Sequence, residues 1–279
     1  MRVTLLGTGD TTGTPTVGCG CDTCTAARER GVERSRFSVH VENERTGEAL
    51  LIDASPDFRQ QFLAREVPLP DAVVVSHIHF DHIDGLGNAY RLFGRPGTDD
   101  AVPVHAADET DSRTGESVAG TVASKFDYLD AIAPRPESPF EQFSACGLEV
   151  TLVPVDHPPL LCYGLRIEDP ETGAALALSG DTSYDVPKRS REVLSGADLL
   201  LADGIVPARF CEHHPLGGSD VRDGVPHTFG TKHMTFEGAR ALADDLDAAD
   251  YRLVHVSHFP TPEEAFGDDL AVDGERFVL

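Results

Sequence analysis

The sequence has few lysines, and this shortage limits the partners that the protein can have. Only three of the 279 residues are lysine, at positions 125, 188 and 232, and 47 acidic residues outnumber 23 basic ones. The formal net charge is therefore −24. A field of this sign opposes a long polyanion, so we expect no extended nucleic-acid interface. Many acidic side chains with few lysines are typical of surfaces that stay hydrated in concentrated salt, and we hypothesise a halophilic source.

Long apolar runs are also missing. No stretch approaches the roughly 18 uninterrupted apolar residues of a membrane-spanning helix, so we expect no membrane segment. Residues 1–7 read as a strand and lack the apolar region and cleavage site of a signal peptide, which predicts a cytoplasmic protein. Six cysteines are too few, in a chain of this length, for a disulfide scaffold.

Predicted strands alternate with predicted helices along the chain, and no repeat of solenoid length or domain-sized linker interrupts them. Residues 36–42 and 49–52 read as a hairpin, whereas later strands are mostly followed by helices, so mixed sheets are expected. A helix is predicted at about residues 84–93, and the Gly-, His- and Pro-rich segment 204–232 reads as one long loop. The pattern predicts a single layered α/β domain over residues 1–279.

The most informative stretch is Ser76-His77-Ile78-His79-Phe80-Asp81-His82, which directly follows the apolar run at residues 72–75. Imidazole and carboxylate are suitable ligands for divalent zinc, manganese or iron. Because alternating residues of such a loop point in different directions, it can supply ligands to two adjacent metals. A polar surface loop is the ordinary alternative, but a cluster this compact favours a metal.

Three further candidates share one position, because each lies at or just past the end of an apolar strand: His157, Asp181 and His255. Strand ends on one side of a layered sheet converge, so these residues can meet the H-x-H-x-D-H motif in space. Singly, each is more simply a loop, turn or core residue, but jointly they favour a metal centre. Asp181 would suit a bridging carboxylate between two metals about 3.5–4 Å apart that activate a shared hydroxide.

A separate cluster lies in the N-terminal loop, where Cys19, Cys21 and Cys24 have the spacing C-x-C-x-x-C. Three thiolates can hold a tetrahedral zinc that needs one more ligand, whereas a redox C-x-x-C is the competing interpretation. His255 and His258 form His-Val-Ser-His, so His258 can face the cysteine loop while His255 faces the other metals. We therefore predict a structural Cys₃His zinc.

The H-x-H-x-D-H motif, followed in order by the three strand-end ligands, resembles the metallo-β-lactamase-fold hydrolases over nearly the whole chain. The resemblance implies a four-layer αββα sandwich with two divalent ions, zinc or manganese, at one edge. It also implies a ligand set for each ion, with Asp181 between them: His77, His79 and His157 for the first, and Asp81, His82 and His255 for the second. Asp53 resembles the aspartate that orients a ligand in that family.

The segment Gly230-Thr231-Lys232-His233-Met234-Thr235 resembles the G-x-H-M-[ST] segment of the phosphodiesterase branch, with Lys232 inserted. The resemblance implies a histidine that acts as general acid or transition-state stabiliser, so we expect His233 and Asp81 to be catalytic. The ordinary alternative is that His233 merely precedes a helix cap. With the cysteine loop, the segment resembles the phosphodiesterases that open phosphoribosyl 1,2-cyclic phosphate. That implies a small phosphorylated substrate, that compound or a related cyclic nucleotide, and a possible homodimer.

Other activities share the metal motifs and stay open at this point. A tRNA 3′-processing endonuclease would need a basic tRNA-clamping arm, and the sequence has no Lys/Arg-rich insertion. A thioesterase, lactonase or glyoxalase of this fold would not need the histidine before Met234. A non-enzymatic metal-binding protein is disfavoured because every catalytic ligand position is filled.

Overall fold

The computed structural model describes residues 1–93 and 101–279, in which two β-sheets are central. The first sheet is built from strands at both ends of the chain: β1 (Arg2–Gly7), β2 (Ser38–Glu42), β3 (Ala49–Ile52), β4 (Ala72–Val75), β5 (Val102–Ala107), β6 (Ile132–Glu137) and β16 (Arg276–Val278). Their spatial order is β16-β1-β2-β3-β4-β5-β6. Pairing is antiparallel from β16 to β3 and parallel from β3 to β6, so the sheet is mixed, as predicted.

The second sheet takes its strands from the later part of the chain: β7 (Gln142–Ala145), β8 (Leu148–His157), β9 (Leu160–Glu168), β10 (Ala175–Leu178), β11 (Leu199–Asp203) and β15 (Tyr251–Val254). The order is β15-β11-β10-β9-β8-β7. The pairs β10–β11 and β11–β15 are parallel and the others are antiparallel.

Helices cover the outer faces of the sheets. The α-helices of the described residues are α1 (Asp22–Arg30), α2 (Phe58–Arg65), α3 (Phe80–Ile83), α4 (Ala89–Leu92), α5 (Val118–Lys125), α6 (Lys188–Leu194), α7 (Phe236–Asp245) and α8 (Pro262–Ala265). A capping box of Thr261 and Glu264 starts α8, and the Thr235 side chain caps α7. Within residues 1–93 and 101–279, no helix has both the length and the apolar character to cross a membrane.

Alternation along β11 shows how the layers are held together. Leu199 and Leu201 belong to the core between the sheets, whereas Leu200 and Ala202 pack with α6 and α7 on the opposite face. A strand buried on both faces needs a layer of structure on each side. The first sheet is covered in the same way, because α2 and α5 contribute side chains to its core. The fold is therefore the predicted four-layer αββα sandwich of the metallo-β-lactamase type.

Two sequence predictions need correction. Segment 204–232 is not a plain loop, because it contains a 3₁₀ helix (Ala208–His213) and a hairpin of β12 (Gly218–Arg222) and β13 (Val225–Phe229), which pairs with β14 (His233–Met234). β12 is largely exposed, and the two buried residues of β13 are the polar His227 and Thr228, so neither strand has an apolar pattern. The helix predicted at 84–93 begins as a 3₁₀ helix (Asp84–Asn88) and becomes α4. There Gly85 lies against the Ser55 carbonyl, where a Cβ atom would come within 2.1 Å of the oxygen.

Candidate metal centre

The predicted metal ligands lie at one edge of the sandwich, in segments at or just after strand ends. The loop after β4 carries the histidine motif, β8 ends at His157, and Asp181 and His255 follow β10 and β15. The structure brings their ligand atoms together in two groups whose members lie within 4.8 Å of one another: His77, His79, His157 and Asp181; and Asp81, His82 and His255. These are the groups that the resemblance implies for two ions.

The first group is a cluster of three imidazoles. Nε2 of His77 and Nε2 of His157 lie 2.8 and 3.3 Å from Nδ1 of His79. Nδ1 of His157 is within hydrogen-bond distance of the Lys232 carbonyl, at 3.0 Å, so that nitrogen acts as the donor and Nε2 is left as a ligand atom. His77 and His157 are buried and His79 is only half-buried, so the group opens to solvent on the His79 side.

Asp181 lies between the two groups. Its Oδ2 is 3.7 Å from Nε2 of His77, 3.4 Å from Nε2 of His82 and 3.3 Å from Nε2 of His255. Asp81 completes the second group, with Oδ2 3.7 Å from each of the same nitrogens of His82 and His255. Asp181 therefore lies close to nitrogens of both groups, as a carboxylate shared by two ions would.

Asp53 orients His82 from behind. Its carboxylate accepts hydrogen bonds from the backbone amide and the hydroxyl of Ser76, both at 2.7 Å, and lies 2.6 Å from Nδ1 of His82. These contacts hold the imidazole with Nε2 directed at Asp181. The backbone φ of Asp53 is +54°, an uncommon value for a residue other than glycine that is typical of functional sites.

Burial and mutual charge set the protonation of the cluster in the absence of metal. Burial opposes charge on all of these groups and lowers the pKa of His157 to about 3. Although burial also opposes its charge, His255 lies beside Asp181 and Asp81, and its pKa rises to about 9. Asp181 and Asp53 raise the pKa of His82 against the effect of burial, while the neighbouring imidazoles hold the pKa of Asp181 well below its ordinary range. The metal-free cluster thus keeps protons that a bound cation would displace.

Unpaired buried nitrogens show that the residues fit such cations. Nε2 of His82 and both ring nitrogens of His255 are buried and have no hydrogen-bond partner in the part of the chain that the structure describes. Buried polar atoms without partners are costly. Here Nε2 of His82 and Nε2 of His255 both face Asp181, whereas Nδ1 of His255 lies 3.9 Å from Oδ1 of Asp203. Imidazole and carboxylate donors are those that divalent zinc, manganese or iron prefers.

His233 stands beside both groups and is held by Asp203, a residue that the sequence analysis did not select. Nδ1 of His233 lies 2.9 Å from Oδ2 of Asp203, which also accepts from the Thr182 amide at 2.9 Å. Asp203 is buried, and burial raises its pKa. The His233 ring stacks on His255 with centroids 4.9 Å apart, and its ligand atom lies within 4.8 Å of those of Asp181 and His255. The available signal for Asp203 was its position at the end of the apolar strand β11.

The cysteine cluster forms as the spacing predicts. Ligand atoms of Cys19, Cys21, Cys24 and His258 lie within 4.8 Å of one another, and Sγ of Cys19 and Sγ of Cys21 are each 3.5 Å from Nδ1 of His258. The thiols are free, and hydrogen bonds from Cys21 are the main cause that lowers the pKa of Cys19. Three thiols and one imidazole at this separation fit a tetrahedral zinc.

Comparisons with known proteins agree with this geometry. Residues 48–256 match the family model described as the β-lactamase superfamily domain. Coenzyme PQQ synthesis protein B of Methylobacterium radiotolerans is 30% identical, and the alignment covers 100% of each chain. Octanoyltransferase of Porphyromonas gingivalis is 28% identical over 92% of this chain, which spans 46% of that protein's length.

Two more comparisons bear on the type of hydrolase. Ribonuclease Z of Synechococcus sp. strain CC9311 is 25% identical over 94% of this chain and 77% of its own length. A crystal structure of a diphosphatase from the PhnP family is 28% identical, with a TM-score of 0.77 over 99% of this chain and 97% of that one. The chain therefore belongs to the β-lactamase superfamily and is a hydrolase of the metallo-β-lactamase fold, a fold that implies divalent metals.

Proposed function

We propose that the protein is a dinuclear metal-dependent phosphodiesterase that opens a small cyclic phosphate, phosphoribosyl 1,2-cyclic phosphate or a related cyclic nucleotide. The observation that carries this proposal is the pair formed by Asp203 and His233 beside the two ligand groups. Hydrolysis of a phosphodiester leaves an alkoxide oxygen that needs a proton, and an imidazole held by a buried carboxylate is suited to give it.

The roles of the chain's own residues follow from their contacts. His77, His79, His157 and Asp181 would hold one ion, and Asp81, His82, His255 and Asp181 the other. When bound, two divalent ions supply Lewis-acid activation of water and neutralise charge on phosphate oxygens. Asp53 and the Lys232 carbonyl keep His82 and His157 in the ligating tautomers. Cys19, Cys21, Cys24 and His258 would hold a structural zinc.

His233 would complete the reaction. With Nδ1 held by Asp203, the other ring nitrogen is free to carry the proton that passes to the departing ribose oxygen as the phosphorus–oxygen bond breaks. The oxygen of water forms the new bond to phosphorus, and a cyclic diester becomes a phosphomonoester. The negative charge of Asp203 stabilises the imidazolium form that donates this proton.

Hydrolysis of a diphosphate is the second candidate function, because the similar crystal structure is that of a diphosphatase. It would use the same residues, with a phosphate as leaving group in place of a ribose oxygen. Pre-tRNA cleavage is disfavoured by the net charge of −24, although one relative is a ribonuclease Z.

A substrate panel tests the proposal. The purified protein, loaded with zinc or manganese, is offered phosphoribosyl 1,2-cyclic phosphate, a nucleotide 2′,3′-cyclic phosphate, a nucleoside diphosphate, pre-tRNA, a lactone and a thioester. We expect the highest kcat/KM for one of the two cyclic phosphates. Hydrolysis of the thioester alone, or a clear preference for pre-tRNA, would overturn the proposal.

Substitution of His233 separates an acid from a ligand. Loss of a general acid typically costs about 100- to 10,000-fold in rate, so His233→Ala is expected to lower kcat to that extent. The number of metal ions per chain should stay unchanged. Because its ligand atom also lies near those of Asp181 and His255, an equal loss of metal would show that His233 is a ligand instead.

A further inference from the structure

The Gly/Thr-rich loop after β1, residues 8–15, has no part in the mechanism proposed above, although it reaches a predicted metal ligand. The hydroxyl of Thr11 donates a hydrogen bond to Oδ2 of Asp81 at 2.8 Å, across 70 positions of sequence. The same oxygen lies 3.7 Å from Nε2 of His82 and 3.7 Å from Nε2 of His255. Thr11 therefore contacts the atom that Asp81 presents to the other members of the second group.

Two other ligands of the centre also have a partner outside the ligand groups. His82 is held by Asp53, and the Nδ1 atom of His157 donates to the Lys232 carbonyl. Partners of this kind fix the direction of a ligand atom before an ion binds, and their loss typically weakens metal binding about 10- to 100-fold. Within residues 1–93 and 101–279, the Thr11 hydroxyl is the one hydrogen-bond donor to the Asp81 carboxylate that lies outside the two ligand groups.

The backbone on both sides of Thr11 is fixed. The amide of Asp10 donates to the Val256 carbonyl, in the segment that follows His255. The Asp10 carboxylate accepts from the amides of Thr12 and Gly13, each at 3.0 Å. The loop thus folds around Asp10 and is joined to the end of β15. Because the backbone is held in this way, the Thr11 hydroxyl is placed before an ion arrives, and little conformational entropy is left to lose there.

The two partners differ in exposure, because Thr11 is exposed and Asp81 is buried. A hydrogen bond to a carboxylate is stronger than one between neutral groups. It also favours the ionised form, and this is the form of the ligand that binds a cation. The exposure of Thr11 has a practical consequence, since a substitution at this position leaves the packing of the core unchanged.

We propose that Thr11 is a positioning residue of the metal centre, and that its hydroxyl fixes the Asp81 carboxylate for the ion of the second group. This inference rests on the two-ion centre of the proposed function and adds a residue that neither ligand group contains. Thr11 acts through Asp81, so its removal weakens the binding of one ion and leaves the substrate contacts in place. The Gly/Thr-rich loop is thereby part of the metal centre.

Three variants test the proposal. Thr11→Val keeps the shape of the side chain without its donor, Thr11→Ser keeps the donor, and Thr12→Val removes a hydroxyl from the next exposed residue, whose partner is Asp10 instead of Asp81. Metal-free protein is titrated with cobalt(II), where thiolate-to-cobalt absorption reports the cysteine site separately from the catalytic ions. We expect Thr11→Val to bind one of the two catalytic ions about 10- to 100-fold more weakly. Thr11→Ser and Thr12→Val should match the wild type.

Kinetics with excess metal separate positioning from substrate contact. When both ions are bound, Thr11→Val should recover the kcat and KM of the wild type on the cyclic phosphates. A raised KM under these conditions would overturn the inference, because the hydroxyl would then contact the substrate.

The titration also separates the inference from the proposed function. Equal affinities of the wild type and Thr11→Val for both catalytic ions would overturn the inference alone. A wild type that binds a single catalytic ion would overturn the two-ion centre and the inference with it. Cobalt binding needs no turnover, so it decides the role of Thr11 even when neither cyclic phosphate is cleaved.

Discussion

A buried histidine outside the predicted metal-ligand groups gives a quantitative prediction about acid stability. His40 lies on β2, where its Nε2 donates to the Pro68 carbonyl at 3.1 Å and its ring meets Phe62 edge-on. Burial lowers the pKa of His40 from 6.5 to about 4. The folded state therefore binds this proton less readily than the unfolded state does, so the stabilising contribution is present above pH 6.5 and is lost as the pH falls toward 4.

The size of the effect follows from the difference between the two pKa values. Each pKa unit corresponds to about 1.4 kcal/mol, so the shift of His40 should lower the unfolding free energy by about 3 kcal/mol in total as the pH falls from above 6.5 to below 4. About 2 kcal/mol of this decrease falls between pH 7 and 4.5. His40→Gln keeps a donor for the Pro68 carbonyl but cannot titrate. As the pH falls from 7 to 4.5, we expect the unfolding free energy of His40→Gln to rise by about 2 kcal/mol relative to that of the wild type.

Urea unfolding of the chelator-treated protein at several pH values measures this difference. Metal ligands titrate equally in both proteins and cancel in the comparison. Val39→Ala is the matched control, because it removes buried apolar atoms from the same strand without removing a titratable group. Its stability curve should run parallel to that of the wild type. A parallel curve for His40→Gln as well would refute the reasoning.

Three further changes have defined outcomes. Asp203→Asn should lower kcat about 10- to 100-fold with an unchanged metal content, because it removes the charge that holds His233; unchanged kcat would contradict that role. Cys24→Ser should remove one zinc per chain in elemental analysis, and a retained full complement would argue against the Cys₃His site. Dialysis from molar salt into dilute buffer should lower the Tm if the acidic surface is an adaptation to salt, whereas an unchanged Tm would contradict the halophilic hypothesis.

The central strands could be predicted from sequence because they are buried on both faces. β4 is apolar throughout and is followed by Ser76, and β11 is apolar up to its last residue, Asp203. The strands that were missed lie at sheet edges or outside the two main sheets. β6 is the last strand of its sheet and contains Pro134 and Pro136, and an edge strand tolerates prolines because it needs fewer ladder donors.

The candidate ligands could be predicted because each follows an apolar strand with a residue type that binds metal. Asp203 has the same position at the end of β11, but the two ligand groups were already complete without it. Its contact with His233 joins residues that are 30 positions apart, and no local sequence pattern encodes such a contact.

The end of β15 shows why the two kinds of predicted metal site need each other. His255 has a φ of +60°, and this turn separates its direction from that of His258. The segment is fixed by neighbours from the N-terminal loop, because the Val256 amide donates to the Thr8 carbonyl and the Asp10 amide donates to the Val256 carbonyl. The same loop sends Thr11 to donate to Asp81 at 2.8 Å. A zinc held by the cysteines and His258 would therefore brace the loop that positions the predicted ligands of the catalytic ions.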